Sequence, residues 1–91
     1  MNKLKIALIG LGHQSCSDHL PAIMECSDLE LVAVCDKNTS ASIEVSEKYN
    51  VPCFNSVDEM LLKIVPDIAI VAVPHDAYLP IIKSLAKNKF T

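Results

Sequence analysis

Ile6-Ala7-Leu8-Ile9-Gly10-Leu11-Gly12-His13-Gln14-Ser15 opens with four apolar residues, stops on a glycine, takes one step and meets a second glycine. The chain has 91 residues and only 2 glycines, and both fall here. A continuous apolar run of this length, closed by a breaker, reads as a buried strand. The residues after it then turn sharply. Ser17 to Cys26 bring Leu20, Ile23 and Met24 onto one face at helical spacing, with Pro21 in the first turn, where a missing N–H costs little. The opening unit is therefore strand, glycine turn, helix.

Outward from this unit the pattern repeats in kind, though not in sequence. Leu29-Glu30-Leu31-Val32-Ala33-Val34-Cys35 is a second mostly apolar run, ending at Asp36, and Ile68-Ala69-Ile70-Val71-Ala72-Val73 is a third, ending at Pro74. None shows sustained polar alternation, so both faces of each strand should be covered, as in a parallel sheet wrapped by helices. Cys53-Phe54, just after Pro52, is a short strand between them. Ser40 to Tyr49 predicts a helix that places Ile43, Val45 and Tyr49 inward. Ser56-Val57-Asp58-Glu59 has the capping-box form, with Met60, Leu61, Leu62 and Ile64 following until Pro66. Ala77 to Lys87 predicts a last helix burying Leu79, Ile82, Leu85 and Ala86, with Asp76 and Asn88 at its ends. The order β-α-β-α-β-α-β-α implies an α/β, doubly wound parallel sheet. Right-handed crossovers give about four strands in the order 3-2-1-4, one Rossmann-like half plus a strand.

Composition narrows the rest. At 91 residues the chain is one domain. Hydrophobic residues make up 51%, which argues against disorder, and a net charge of −3 offers no electrostatic footprint for nucleic acid. No apolar run approaches the ~20 residues that span a bilayer, so no membrane partner is expected. Cys16, Cys26, Cys35 and Cys53 form no C-x-x-C pair, and the N-terminus lacks a signal-peptide core, so a reduced, cytoplasmic setting is expected. The three histidines have no ligand spacing beside cysteines or carboxylates, and no metal is assigned.

Chemistry concentrates on the glycines. Gly10-Leu11-Gly12-His13-Gln14-Ser15 fits G-x-G-x-x-S, a variant of the dinucleotide fingerprint. Gly10 permits the tight turn, and Gly12 lacks the Cβ that would keep backbone from a pyrophosphate. The following helix aims its N-terminal N–H groups at the anion. Ser15, small and hydroxylated, takes the place of the third glycine. His13 lies in the loop, where it either approaches phosphate or stands as a solvated loop residue. Asp36 stands 24 positions after Gly12, close to the roughly 20 expected for the acid that grips the adenosine ribose. The alternative is a turn acid that caps the second helix. A carboxylate there repels a 2′-phosphate, which favours NAD, while Lys37, Thr39 and Ser40 could offset that repulsion and admit NADP. Pro74 and His75 close the third long strand beside the first, at the switch point where open parallel sheets bind ligands. His19 reads as structural and Tyr78 as a packing or capping residue.

Several blocks together resemble the N-terminal cofactor domain of the glucose–fructose oxidoreductase / inositol dehydrogenase family. They are residues 5–12, His19-Leu20-Pro21-Ala22, residues 31–36, Val51-Pro52-Cys53-Phe54 and residues 66–75. The resemblance covers nearly the whole chain. It implies a nicotinamide-dependent oxidoreductase acting on sugars, cyclitols or related carbonyl compounds. It implies that Gly10, Gly12 and Ser15 hold the pyrophosphate, Asp36 the ribose, and Pro74 and His75 the nicotinamide side. Many relatives carry asparagine at the position of His75 and histidine at that of Tyr78, and the loop from Gly12 to His19 is slightly long.

The family pattern continues into another strand, a Glu-Lys-Pro motif whose lysine moves a proton, and a second α/β domain with the catalytic histidine. The sequence to Thr91 has none of these, so residues 1–91 read as a dinucleotide-binding piece of a larger two-domain oxidoreductase. That piece, truncated before the fifth strand, would hold no catalytic residue and bind cofactor weakly by itself. Strand 68–73 would then be a bare apolar edge, a template for self-association that sedimentation would detect. A non-catalytic nucleotide-binding or scaffold module of the same fold is the competing reading. A methyltransferase is disfavoured, because Leu8-Ile9 stands where an acid usually precedes the glycine loop.

Overall fold

The computed structural model describes residues 3–12, 15–73 and 78–87. Four parallel strands, β1 (Leu4–Ile9), β2 (Leu29–Cys35), β3 (Cys53–Phe54) and β4 (Ile68–Val71), form one sheet in the order β3-β2-β1-β4. The helices are α1 (Leu20–Glu25), α2 (Thr39–Tyr49), α3 (Val57–Lys63) and α4 (Tyr78–Lys87). This is the doubly wound α/β, Rossmann-like arrangement that the alternating runs imply.

Each face of the sheet has its own core. Ile6 and Leu8 of β1 pack with Leu20 and Ile23 of α1 and Val45 of α2, while Ala7 and Ile9 point the other way onto Val57 and Met60 of α3 and Leu85 of α4. Adjacent positions on a strand face opposite sides, so an unbroken apolar strand is what two helical layers require. β2 breaks the alternation once. Leu31 and Val34, an odd interval apart, both face the α1/α2 side. A bulge reconciles them, because Ile6 pairs with Leu31 but Ala7 pairs with Ala33, leaving Val32 as the extra residue.

Helix boundaries follow local chemistry. The Asn38 side chain accepts from Ala41 N at 3.1 Å and starts α2, and Ser56 accepts from Glu59 N at 3.4 Å and starts α3. Asn50 closes α2 in the left-handed region, at φ 56°, a conformation asparagine tolerates. α3 ends at Lys63, where Ile64 is already extended, three residues before Pro66.

Five expectations need correction. The first helix begins earlier, as a π-helical turn over Ser15–His19 that runs into α1, with Pro21 still in the first α-turn. Met24, Ile43 and Leu62 are exposed, Leu62 at 81%, since each lies just outside the arc that meets the sheet. β4 ends at Val71, not Val73, although Ala72 N still donates to Ile9 O at 2.8 Å. In α4, Leu79 and Ile82 are exposed, at 61% and 48%, and so is Ala86, while Leu85 is buried and Ile81 packs beside it. β4 is the sheet's edge, so α4 finds strand beneath only part of its apolar arc. Finally, α2 is capped by Asn38, not by Asp36. The proposed caps Asp76 and Asn88 lie outside the described residues, as does the side chain of Tyr78.

Candidate functional site

The carboxyl ends of the strands converge on one rim. Gly10 N donates to Cys35 O at 2.8 Å and Asp36 N to Phe54 O at 3.0 Å, so the ladder runs one residue past β1 and β2 and places Gly10 and Asp36 on neighbouring strand ends. Gly10 has φ +99°, and a Cβ built on it would lie 2.2 Å from Ala72 O. Its glycine is thus required twice, by the backbone turn and by the close approach of the chain after β4. Gly12 is different. A Cβ there would meet nothing within 4 Å. No packing within the described protein calls for a glycine at this point, and the bare backbone borders open space.

That space is a cleft of about 490 Å³ whose lining includes Gly10, Leu11, Gly12, Asp36, Asn55 and, from α4, Ile81. It is largely apolar, and Asp36 and Lys37 are its charged lining residues. Leu11, between the glycines, is buried in the α1/α2 core and anchors the loop. The loop is tied further by Cys16, whose N donates to Gly12 O at 3.1 Å and whose Sγ donates to Leu11 O at 3.7 Å.

Asp36 is half-buried and held on both oxygens. Oδ2 accepts from Leu11 N at 2.6 Å and Oδ1 from Asn38 N at 2.8 Å. The second bond is the local turn that aspartate makes with the N–H two residues on. The first couples the end of β2 to the glycine loop. Each carboxylate oxygen has two lone pairs, so each keeps one to offer. Asp36 lines the cleft, Lys37 beside it is exposed, and Ser15 opens the π-helical turn. The structure therefore brings Gly10, Gly12, Asp36 and Lys37 to one cleft. His13, Gln14, Pro74 and His75 lie outside the described residues, as does the side chain of Ser15.

Sequence reasoning missed Asn55, Ser56 and the α4 residues Pro80, Ile81 and Ser84 as parts of the wall. For Asn55 a signal existed. It directly follows β3, at a strand's carboxyl end, where open parallel sheets place ligand-facing residues.

The residue before Asp36 has its own electrostatics. Burial, the Asp36 carboxylate and the Glu59 carboxylate together push the Cys35 thiol up to about 11 from 9.0. The folded chain thus keeps the proton that the unfolded chain loses first. Stability from this group is complete below pH 9 and is lost as pH rises toward 11, by about 2–3 kcal/mol at the top of that window. Cys35→Ala should flatten the fall in denaturant midpoint between pH 9 and 11. An equal fall in both proteins would show that Cys35 is not its source.

A family of this fold is matched in sequence across residues 4–90: an oxidoreductase family with an NAD-binding Rossmann fold. The chain belongs to that family. Within it, the chain is 37% identical over 73 residues to the D-glucoside 3-dehydrogenase of Escherichia coli (strain K12), an alignment covering 79% of this chain and 21% of that protein. The WlbA dehydrogenase of Bordetella pertussis, solved with NADH and UDP-GlcNAcA, superposes with a TM-score of 0.88 at 26% identity, over 98% of this chain and 27% of its own. The fold is shared as well with the scyllo-inositol dehydrogenase of Lactobacillus casei, solved with NAD(H) and scyllo-inositol (TM-score 0.83, 18% identity, 98% of this chain and 26% of that one). The chain spans about a fifth to a quarter of the length of these relatives. Among the described residues, no helix of this family member is long and apolar enough to cross a membrane.

Proposed function

We propose that the chain supplies the NAD-binding part of an oxidoreductase that moves a hydride to or from a sugar, a cyclitol or a related carbonyl or hydroxyl compound. The single observation that carries the site is Gly12, a glycine without an internal packing reason, at the rim of a cleft that also contains Asp36. The backbone of Gly10 to Gly12 receives the pyrophosphate, with His13, Gln14 and Ser15 next in sequence as further partners. The Asp36 carboxylate accepts from the adenosine ribose hydroxyls, and Lys37 flanks it. Pro74 and His75 stand toward the nicotinamide, which when bound supplies the hydride-accepting ring. The substrate class is supported by the names of the relatives, which act on a glucoside or were solved with an inositol.

Asp36 favours NAD over NADP, because its charge opposes a 2′-phosphate. Calorimetric titration of the chain should find NAD+ bound at least about tenfold more tightly than NADP+, one charge-assisted contact's worth. Asp36→Ala should weaken NAD+ and narrow the gap. NADP+ binding as tightly as NAD+ to the unaltered chain would overturn this assignment of Asp36.

We further propose self-association through the outer flank of β4. Its support is the strand's place at the sheet's edge, beside an apolar groove of about 390 Å³ lined by Ile68, Val71, Ile82 and Leu85.

A further inference from the structure

We infer that Asn55 is a positioning residue for the cofactor ribose, acting through Asp36; the inference rests on the placing of that ribose at Asp36 argued above. Asn55 Nδ2 donates to the main-chain O of Asp36 at 2.8 Å and to Ser42 Oγ at 3.3 Å. Ser42 is 1% exposed, and its hydroxyl in turn donates to Thr39 O at 3.0 Å. One amide group thus spends both hydrogens on tying the end of β2 to the first turn of α2, and its second acceptor is fixed in the core.

The consequence falls on Asp36. Its N donates to Phe54 O, its O accepts from Asn55, and its two carboxylate oxygens accept from Asn38 N and Leu11 N. Holding the carbonyl fixes the peptide plane between Asp36 and Lys37. That plane fixes the start of the turn through Lys37, and the N–H on the far side of that turn, from Asn38, holds one carboxylate oxygen. Release the carbonyl, and the peptide gains a freedom that the two carboxylate bonds must oppose alone. A ribose diol asks for a carboxylate held within a few tenths of an ångström of the right place, which is what buried supports of this kind supply.

The test compares NAD+ with its 2′-deoxyadenosine analogue, which lacks the hydroxyl that Asp36 is placed to accept. Amide-shift titration of the 91-residue chain gives both affinities even when they are weak. The unaltered chain should prefer NAD+ by about tenfold, and Asp36→Ala should erase the preference. Asn55→Ala should reduce the preference to about threefold or less, chiefly by weakening NAD+, with the analogue's affinity changed less than about twofold. Asn55→Asp, which keeps the shape but cannot donate, should do the same and serves if the alanine variant does not fold. A purely structural role would weaken both ligands alike and leave their ratio at the unaltered value, and that result overturns the inference. If the unaltered chain itself shows no preference, the ribose assignment of Asp36 fails first. If only Asp36→Ala removes the preference, that assignment stands and Asn55 alone is excluded.

Discussion

Gly10→Ala should lower the melting temperature of the chain by about 15–30 °C, at roughly 4–8 °C for each kcal/mol lost by a domain of this size. Two costs combine. An alanine held at φ +99° is strained by about 1–3 kcal/mol. Its Cβ would also lie 2.2 Å from Ala72 O and 2.8 Å from Val73 Cγ1, so β1 and the chain after β4 must separate. Overpacking of this kind adds about 1–3 kcal/mol, and the offending atom is backbone, which cannot rotate away. Against a net stability of about 5–15 kcal/mol the sum is a large fraction. Thermal unfolding followed by circular dichroism checks it. A melting temperature within a few degrees of the parent would mean that the β1–β4 approach is looser than described.

Gly12→Val should do the opposite, leaving the fold intact and removing the ligand. Nothing lies within 4 Å of a Cβ at this position, and its φ is not in the left-handed region. Stability should change by no more than about 1 kcal/mol, and the gain from a stiffer unfolded chain makes a slight increase the expected sign. The added methyl groups would occupy the space through which a pyrophosphate must approach the N–H groups of the loop. Two lost or lengthened charge-assisted hydrogen bonds, at about 1.5 kcal/mol each, correspond to a Kd raised by about 100-fold. Calorimetry with NAD+ on a variant of unchanged melting temperature reads this directly. An unchanged Kd would place the pyrophosphate elsewhere. The pair separates two glycines that a motif treats alike: Gly10 has a packing reason within the described protein, and Gly12 has none.

Much of this was legible in the residues. Ile6 to Ile9, Leu29 to Cys35 and Ile68 to Val73 read as two-faced strands because apolar residues dominate both faces of each, and the third is two residues shorter than that reading, ending at Val71. Their order then follows from the handedness of crossovers. The placing of Gly10 and Asp36 at neighbouring strand ends was legible, because each directly follows an apolar run. The bulge at Val32 was not legible, since a run of apolar residues reads the same in either phase. The exposed flank of α4 was hidden for a related reason. Leu79 and Ile82 belong to the same wide apolar arc as Ile81 and Leu85, and only the position of β4 at the edge decides which part is covered. Asn55 follows β3 directly, and that position was a signal, but nothing in the sequence says what its side chain holds. Its role comes from contacts with Asp36 and Ser42, 19 and 13 positions away, which no local pattern contains.

The proposed dinucleotide receptor joins the bare backbone at Gly12 to the carboxylate of Asp36. A crystal structure of the chain with NAD+ tests it most directly. Pyrophosphate oxygens should lie against the Gly10–Gly12 backbone, with an adenosine ribose hydroxyl about 2.5–3.0 Å from an Asp36 carboxylate oxygen. A cofactor seated in the groove beside β4 and α4, or one whose ribose leaves Asp36 bound only to Leu11 and Asn38, would contradict it.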